Sequence, residues 1–179
     1  MYKIAKENLS ALFQMIAEVQ ELYLPVRTAG QTNYAAWTTE AEVDLGTLKT
    51  VKSAKDAFFP QSEGLYTVRK ENKKMKIHPE ELKTQDFVVF GMKACDVQGV
   101  EVLDRVFLSD PIDSFYAARR SNGTIVAMAC QEPEETCFCK VFGIDCAEPK
   151  ADVVTWMIGE NMYWNSVTEK GDKLTESVK

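Results

Sequence analysis

Two cysteines of this chain stand where apolar, strand-like runs end, and two more follow closely in the loop after the second. Ala94-Cys95-Asp96 follows Phe87-Val88-Val89-Phe90, and Ala129-Cys130-Gln131-Glu132-Pro133 follows Thr124-Ile125-Val126-Ala127-Met128. A tight Thr136-Cys137-Phe138-Cys139 comes next. Strands of one parallel sheet end on the same side, where such sheets bind ligands. Cys95 and Cys130 then converge, and the loop after Cys130 can deliver Cys137 and Cys139 to the same point. Four thiolates there suit a metal centre: a cubane cluster takes one thiolate per iron, and zinc takes four. The ferredoxin run C-x2-C-x2-C-x3-C-P is absent, as are paired C-x2-C units and a second histidine. Spacing alone therefore leaves three readings open: an iron–sulfur cluster, a four-cysteine zinc site in an interaction module without redox role, or scattered buried thiols. A reactive Cys95 ahead of a helix is a further option, but the chain offers it no convincing histidine partner.

Composition narrows the setting. Of 179 residues, 45% are hydrophobic and 27% charged, as in a soluble domain. A net charge of −6 argues against nucleic acid, whose phosphates call for a basic surface. Met1-Tyr2-Lys3-Ile4-Ala5-Lys6-Glu7 lacks the apolar core of a signal peptide, and no run approaches the roughly 20 apolar residues of a membrane span. A cytoplasmic protein is expected. In that compartment five cysteines read as thiols or metal ligands rather than disulfides.

The elements that must position these cysteines follow from periodicity. Leu9, Leu12, Phe13, Ile16 and Val19 predict a helix over roughly 6–23, ended by Pro25. Residues 26–48 read as β-like, with a turn at Gly30-Gln31-Thr32-Asn33 and a short strand over 34–38; Trp37 is expected in the core or beside a cofactor. Ser53 should cap a short helix that carries Lys55, buries Phe58 and Phe59, and stops at Pro60. Residues 65–69 and 73–77 form a hairpin around Lys70-Glu71-Asn72, with His78 in a connector. Val97, Val100, Leu103, Val106 and Phe107 predict a helix after Cys95. A second helix, capped by Asp113 or Ser114, ends at Asn122-Gly123. Residues 152–157 and 161–168 read as strands, and 169–173 as a polar turn. The expected class is α/β (or α+β): a mixed sheet with a parallel strand–helix–strand core, flanking β-hairpins and an amino-terminal helix.

Phe90-Gly91-Met92-Lys93-Ala94-Cys95-Asp96 and Val102-Leu103-Asp104-Arg105-Val106-Phe107 resemble a family of iron–sulfur electron-transfer subunits. That family includes the beta subunit of cytoplasmic sulfhydrogenases and the iron–sulfur subunit of anaerobic sulfite reductase, the 4Fe-4S dicluster-type proteins. The resemblance extends to Tyr116-Ala117-Ala118-Arg119-Arg120, Ala129-Cys130, Thr136-Cys137-Phe138-Cys139, residues 55–60 and the tail Val167-Thr168-Glu169-Lys170-Gly171. It implies one 4Fe-4S cluster on Cys95, Cys130, Cys137 and Cys139, and an electron relay in anaerobic metabolism. Flavin-containing and catalytic oxidoreductase subunits are the implied partners. The chain itself should catalyse no complete reaction. Two departures stand out: Ala94 replaces the family's usual proline, and no ferredoxin-like domain follows. Residues 1–179 are thus expected to be one iron–sulfur-binding domain, the amino-terminal part of a longer subunit. Cys146 falls outside the four-cysteine pattern and reads as a free thiol, although Cys130, Cys137, Cys139 and Cys146 would make a more local set. Arg119 and Arg120 could offset thiolate charge or dock a partner, or be ordinary surface arginines.

Overall fold

The computed structural model describes residues 1–82 and 85–179. Its main sheet has seven strands: β1 (Tyr2–Ala5), β2 (Glu21–Thr28), β3 (Gln31–Ala36), β6 (Phe87–Met92), β7 (Gly123–Met128), β8 (Val153–Ile158) and β9 (Asn161–Ser166). They lie in the order β1-β9-β8-β7-β6-β2-β3. Pairing is parallel for β2·β6, β6·β7 and β7·β8, and antiparallel towards both edges. The remaining strands, β4 (Tyr66–Glu71) and β5 (Lys74–Pro79), form a separate two-stranded sheet exposed on both faces. The mixed α/β architecture expected from the sequence is present.

Burial of β6 and β7 on both faces explains their unbroken apolar runs. Val88, Phe90 and Val126 face α1 (Leu9–Val19) and α4 (Glu169–Ser177), in a core completed by Leu12, Phe13, Ile16 and Trp164. Phe87, Val89, Ile125 and Ala127 face the other way, towards α2 (Ala94–Phe107), α3 (Ser114–Asn122) and Phe58. Gly91 breaks the alternation. Its φ of +84° sits in a bulge where Phe90 pairs with Val126 and Met92 with Ala127. Phe90 and Met92, two positions apart, therefore enter opposite cores. The bulge lies immediately before Lys93, which starts the helix carrying Cys95.

Several local expectations are corrected. The first helix spans only Leu9–Val19, after a 3-10 turn over Lys6–Asn8. Pro25 does not end it but lies inside β2, buried next to Leu24 where the alternation of Glu21–Leu24 stops. Pro25 is tolerated because the parallel β2·β6 ladder stops at Tyr23. The following turn falls at Ala29-Gly30, both with positive φ, so β3 begins at Gln31. His78 lies in β5 rather than a connector, paired with Thr67. The stretch 169–173, expected as a polar turn, is the start of α4: Thr168 caps it, accepting from the Gly171 amide at 3.3 Å, and Leu174 is buried. β1 has no counterpart in the sequence expectations. Ser53 does cap a short 3-10 helix, Ala54–Ala57, and Phe58 is fully buried. Phe59 is half-exposed instead, stacked on Phe107 at 4.6 Å.

An alanine Cβ at Gly91 would sit 3.4 Å from both Leu45 and Pro25, on a backbone that L-residues rarely adopt. Gly91→Ala is expected to cost about 1–2 kcal/mol. Urea unfolding checks it: the midpoint should fall while the slope stays unchanged.

Candidate metal centre

The parallel partnership of β6 and β7 brings their carboxyl ends side by side. Cys95 lies in the first turn of α2, directly beyond β6, and Cys130 lies two residues beyond β7. The loop after Cys130 turns back through a 3-10 helix, Cys139–Phe142, closed by Gly143 at φ +64°. The Cys137 amide donates to the Glu134 carbonyl at 2.9 Å, and the Ile144 amide to the Cys139 carbonyl at 3.1 Å. These bonds fix both cysteines of the Cys-x-Cys pair on one short coil. Lys49 pins the approach by pairing with Glu134 at 3.1 Å and hydrogen-bonding Thr136.

All five cysteines are unpaired, and they gather at this edge. Cys139 influences the thiols of Cys95, Cys130 and Cys146, while Cys137 influences Cys130. Cys146, read from the sequence as outside the pattern, lies among them. The Cys130 amide donates to its carbonyl at 3.0 Å, its thiol donates to the Ile144 carbonyl at 3.8 Å, and Cys139 raises its pKa. The structure thus presents five candidate sulfurs for four positions. Among the described residues, no three His, Cys, Asp or Glu side chains are close enough to share one metal ion. A tetrahedral zinc site would need its sulfurs about 3.8 Å apart. A cluster that gives each thiolate its own iron calls for sulfurs held further apart. Five free thiols supply the type of donor that such a cluster takes, and enough of them for its four positions.

Loss of water raises the thiols. Cys146 moves from 9.0 to about 11, through burial, its hydrogen bond with Cys139 and the charges of Cys139, Cys130 and Cys95. Cys95 is raised by desolvation of its sulfur, then by Asp96 and by the thiols of Cys139 and Cys130. Burial raises Cys130 too, but Lys93 opposes it. Lys93 is 7% exposed, and its ammonium has no hydrogen-bond or ion-pair partner among the described residues but keeps contact with solvent. Desolvation lowers its pKa, and Cys130, then Cys95, are the leading charges that push it back up. A buried ammonium of this kind is costly unless a negative charge accompanies it. The sequence signal was there to find: Lys93 is the one charged residue of 87–95.

Other candidates have local duties. Lys55 pairs with Asp96 at 4.0 Å and Ser53 donates to Asp96 at 2.5 Å, so a positive charge does stand one residue from Cys95. Arg119 is buried against Glu63, and Arg120 bonds Asp104 at 3.0 Å and covers Phe58. Both precede β7, at the end of the sheet away from the cysteines. Trp37 packs on the α1-side core and lines a cavity of about 760 Å³ with Phe13, Leu45, Lys93, Met128 and Cys130.

The beta subunit of sulfhydrogenase 2 from Pyrococcus furiosus is 31% identical over 151 residues, 84% of this chain and 43% of that protein. This chain is similar to a sulfhydrogenase subunit. It spans less than half of that relative's length. No family model matches the chain, and no solved structure matches it. Among the described residues, no helix is long and apolar enough to cross a membrane.

The raised thiols set a pH dependence of definite sign. A thiol must lose its proton to bind metal, so loading releases protons and strengthens by about tenfold per pH unit for each one released. Anaerobic loading with ferrous iron and sulfide should go further at pH 8.5 than at pH 6.5, with proton release visible to an indicator dye. The cluster-free chain should behave oppositely. A thiol whose pKa is raised on folding contributes stability below its ordinary value and loses it as pH rises through the folded value. The melting temperature should therefore fall between pH 9 and about 11, and less so in Cys146→Ser.

Proposed function

We propose that this chain is the cluster-bearing domain of an electron-transfer subunit in a multi-subunit oxidoreductase, holding one 4Fe-4S cluster on Cys95, Cys130, Cys137 and Cys139. The observation that carries the proposal is the gathering of thiols at the carboxyl edge of β6 and β7. The similarity to a sulfhydrogenase beta subunit supports it. A bound cubane cluster supplies reversible one-electron transfer. The chain's part is to hold the sulfurs, limit their contact with water and set the surrounding charge. Flavin-containing and catalytic subunits are the proposed partners, in a reducing cytoplasmic compartment that keeps the five thiols free. The proposal also takes residues 1–179 as one domain preceding a ferredoxin-like part, consistent with a match to 43% of the relative.

Cys146 is the second claimant for a ligand position, on the strength of its backbone bond to Cys130 and the electrostatic influence of Cys139 on its thiol. Iron and acid-labile sulfide analysis on anaerobically purified protein tests both points. About four of each per chain, with a brown absorbance bleached by dithionite, is the expected result. One zinc per chain without colour would replace the relay by a structural zinc module. Cys95→Ala should lose the cluster and Cys146→Ala retain it; the reverse would exchange Cys146 for Cys95.

The Lys93 ammonium offsets part of the negative charge that four thiolates bring. Lys93→Met should lower the reduction potential of the cluster by roughly tens of millivolts, and Lys93→Arg should restore most of it. A potentiometric titration followed by electron paramagnetic resonance reads the shift, and an unchanged potential in Lys93→Met would remove Lys93 from this role.

A further inference from the structure

The cysteine loop carries an apolar surface that the domain leaves uncovered. Phe138 is 64% exposed, Val141 81% and Phe142 67%, and the Phe138 and Phe142 rings pack together at 5.6 Å. Phe138 stands between Cys137 and Cys139, and the other two complete the 3-10 helix that begins at Cys139. Contiguous apolar groups held in water near a functional centre mark an interaction surface. The surrounding segment is acidic: Glu132, Glu134, Glu135, Asp145 and Glu148 are exposed, against Lys140 alone within residues 131–148. Lys49 neutralises Glu134, and the other four carboxylates form no ion pair among the described residues.

We propose that this face docks a protein electron carrier with an apolar contact centre and a lysine- or arginine-rich rim. The carrier's apolar centre covers Phe138, Val141 and Phe142, and its cations meet the carboxylates around them. An acidic rim selects a basic partner and speeds its approach, while the apolar centre holds it once docked. Docking there places the carrier's redox group over the loop that holds two of the sulfurs. The inference rests on the relay reading. In the step it describes, one electron leaves the reduced cluster and reduces the carrier's metal from its oxidised to its reduced state, with no bond made or broken.

The test uses cluster-loaded chain reduced with dithionite and freed of excess reductant, mixed with ferricytochrome c, a basic haem protein, in a stopped-flow spectrometer. The second-order rate constant should fall about tenfold from roughly 20 to roughly 200 mM salt. The double variant Glu132→Gln with Glu135→Gln should lower the low-salt rate about tenfold and flatten the salt dependence. A matched pair on the α1–α4 face, Glu18→Gln with Glu176→Gln, removes the same charge and should stay within about twofold of the parent. Phe138→Ser with Val141→Ser should slow transfer at every salt concentration while leaving the cluster spectrum unchanged.

Equal losses from the two charge pairs, or rates indifferent to salt and to Phe138, would overturn the proposal. So would a self-association, seen by sedimentation, that Lys74→Glu and Lys76→Glu abolish, because a second copy's basic hairpin would then occupy the face. Iron and sulfide content, measured first, judges the relay reading by itself. Calorimetric binding of ferricytochrome c to the cluster-free chain and its variants judges the docking face even if no cluster forms.

Discussion

Adjacent parallel pairing of β6 and β7 is the constraint from which the site follows. Six-residue strands in register end within one residue of each other, and the chain leaves both at the same edge. Cys95 and Cys130 meet there although 34 residues separate them between positions 95 and 130. The third parallel strand, β8, extends the arrangement. Its ladder with β7 continues past the strand ends through the Ala129 amide to the Thr155 carbonyl, and one residue later the Cys130 amide reaches Cys146. A loop-to-loop hydrogen bond thus sets the backbone of a fifth cysteine beside the second. The bulge at Gly91 adds the remaining adjustment by turning Met92 into the opposite core just before the helix start. Side-chain packing beneath these strands, with Phe58, Phe87, Phe90 and Trp164 fully or almost fully buried, makes the edge a fixed platform.

The electrostatics of that platform couple the thiols to Lys93. Partly buried thiols resist ionisation, and each thiolate formed raises the cost of the next. Lys93 stands on the other side, a largely buried side chain whose ammonium has no protein acceptor among the described residues and reaches solvent instead. Each half is unfavourable alone, and together they compensate. A negative centre at the thiols gives Lys93 its counter-charge, and Lys93 eases the ionisation of Cys130, where it is the leading opposing influence to burial. At Asp96, a hydrogen bond from Ser53 and the Lys55 charge at 4.0 Å hold the carboxylate that adds to the repulsion at Cys95.

Much of this was legible in the chain, for reasons that differ by residue. Phe87–Phe90 and Thr124–Met128 announce buried parallel strands because both faces are covered, and the cysteines follow them directly. The Ser53 cap and the Asp113 cap could be read because each rests on a local side-chain-to-backbone bond. What escaped depends on distant partners. β1 is a strand only because β9 pairs with it, and the Pro25 segment is one because β6 and β3 flank it. The last helix looked like a turn because Lys170, Gly171 and Asp172 are polar or small; its identity lies in Thr168 and in Leu174 reaching the core. Cys146 looked isolated by spacing, since its place is set by a backbone hydrogen bond between loops, from Cys130 sixteen positions earlier.

Charge is distributed as unevenly as burial. The exposed β4–β5 sheet carries Arg69, Lys70, Lys73, Lys74 and Lys76 against Glu71, in a chain whose net charge is −6. The segment beyond Cys130 has the opposite bias. An isolated two-stranded hairpin is marginal in water, and this one packs neither face on the main cores. Its positive-φ turn at Asn72-Lys73, its ladder and the Lys76–Glu71 pair at 2.5 Å are local supports only. Tyr66, Val68, Met75 and Ile77 remain in water there, as Phe138, Val141 and Phe142 do on the cysteine loop. The domain therefore uses its apolar residues in two ways. Those on the seven-stranded sheet fix where the sulfurs stand, and those on the two outlying elements do nothing for that sheet. With opposite charges on these two elements, the field of the molecule is directional rather than merely acidic, and it orients a charged protein before contact as well as attracting it.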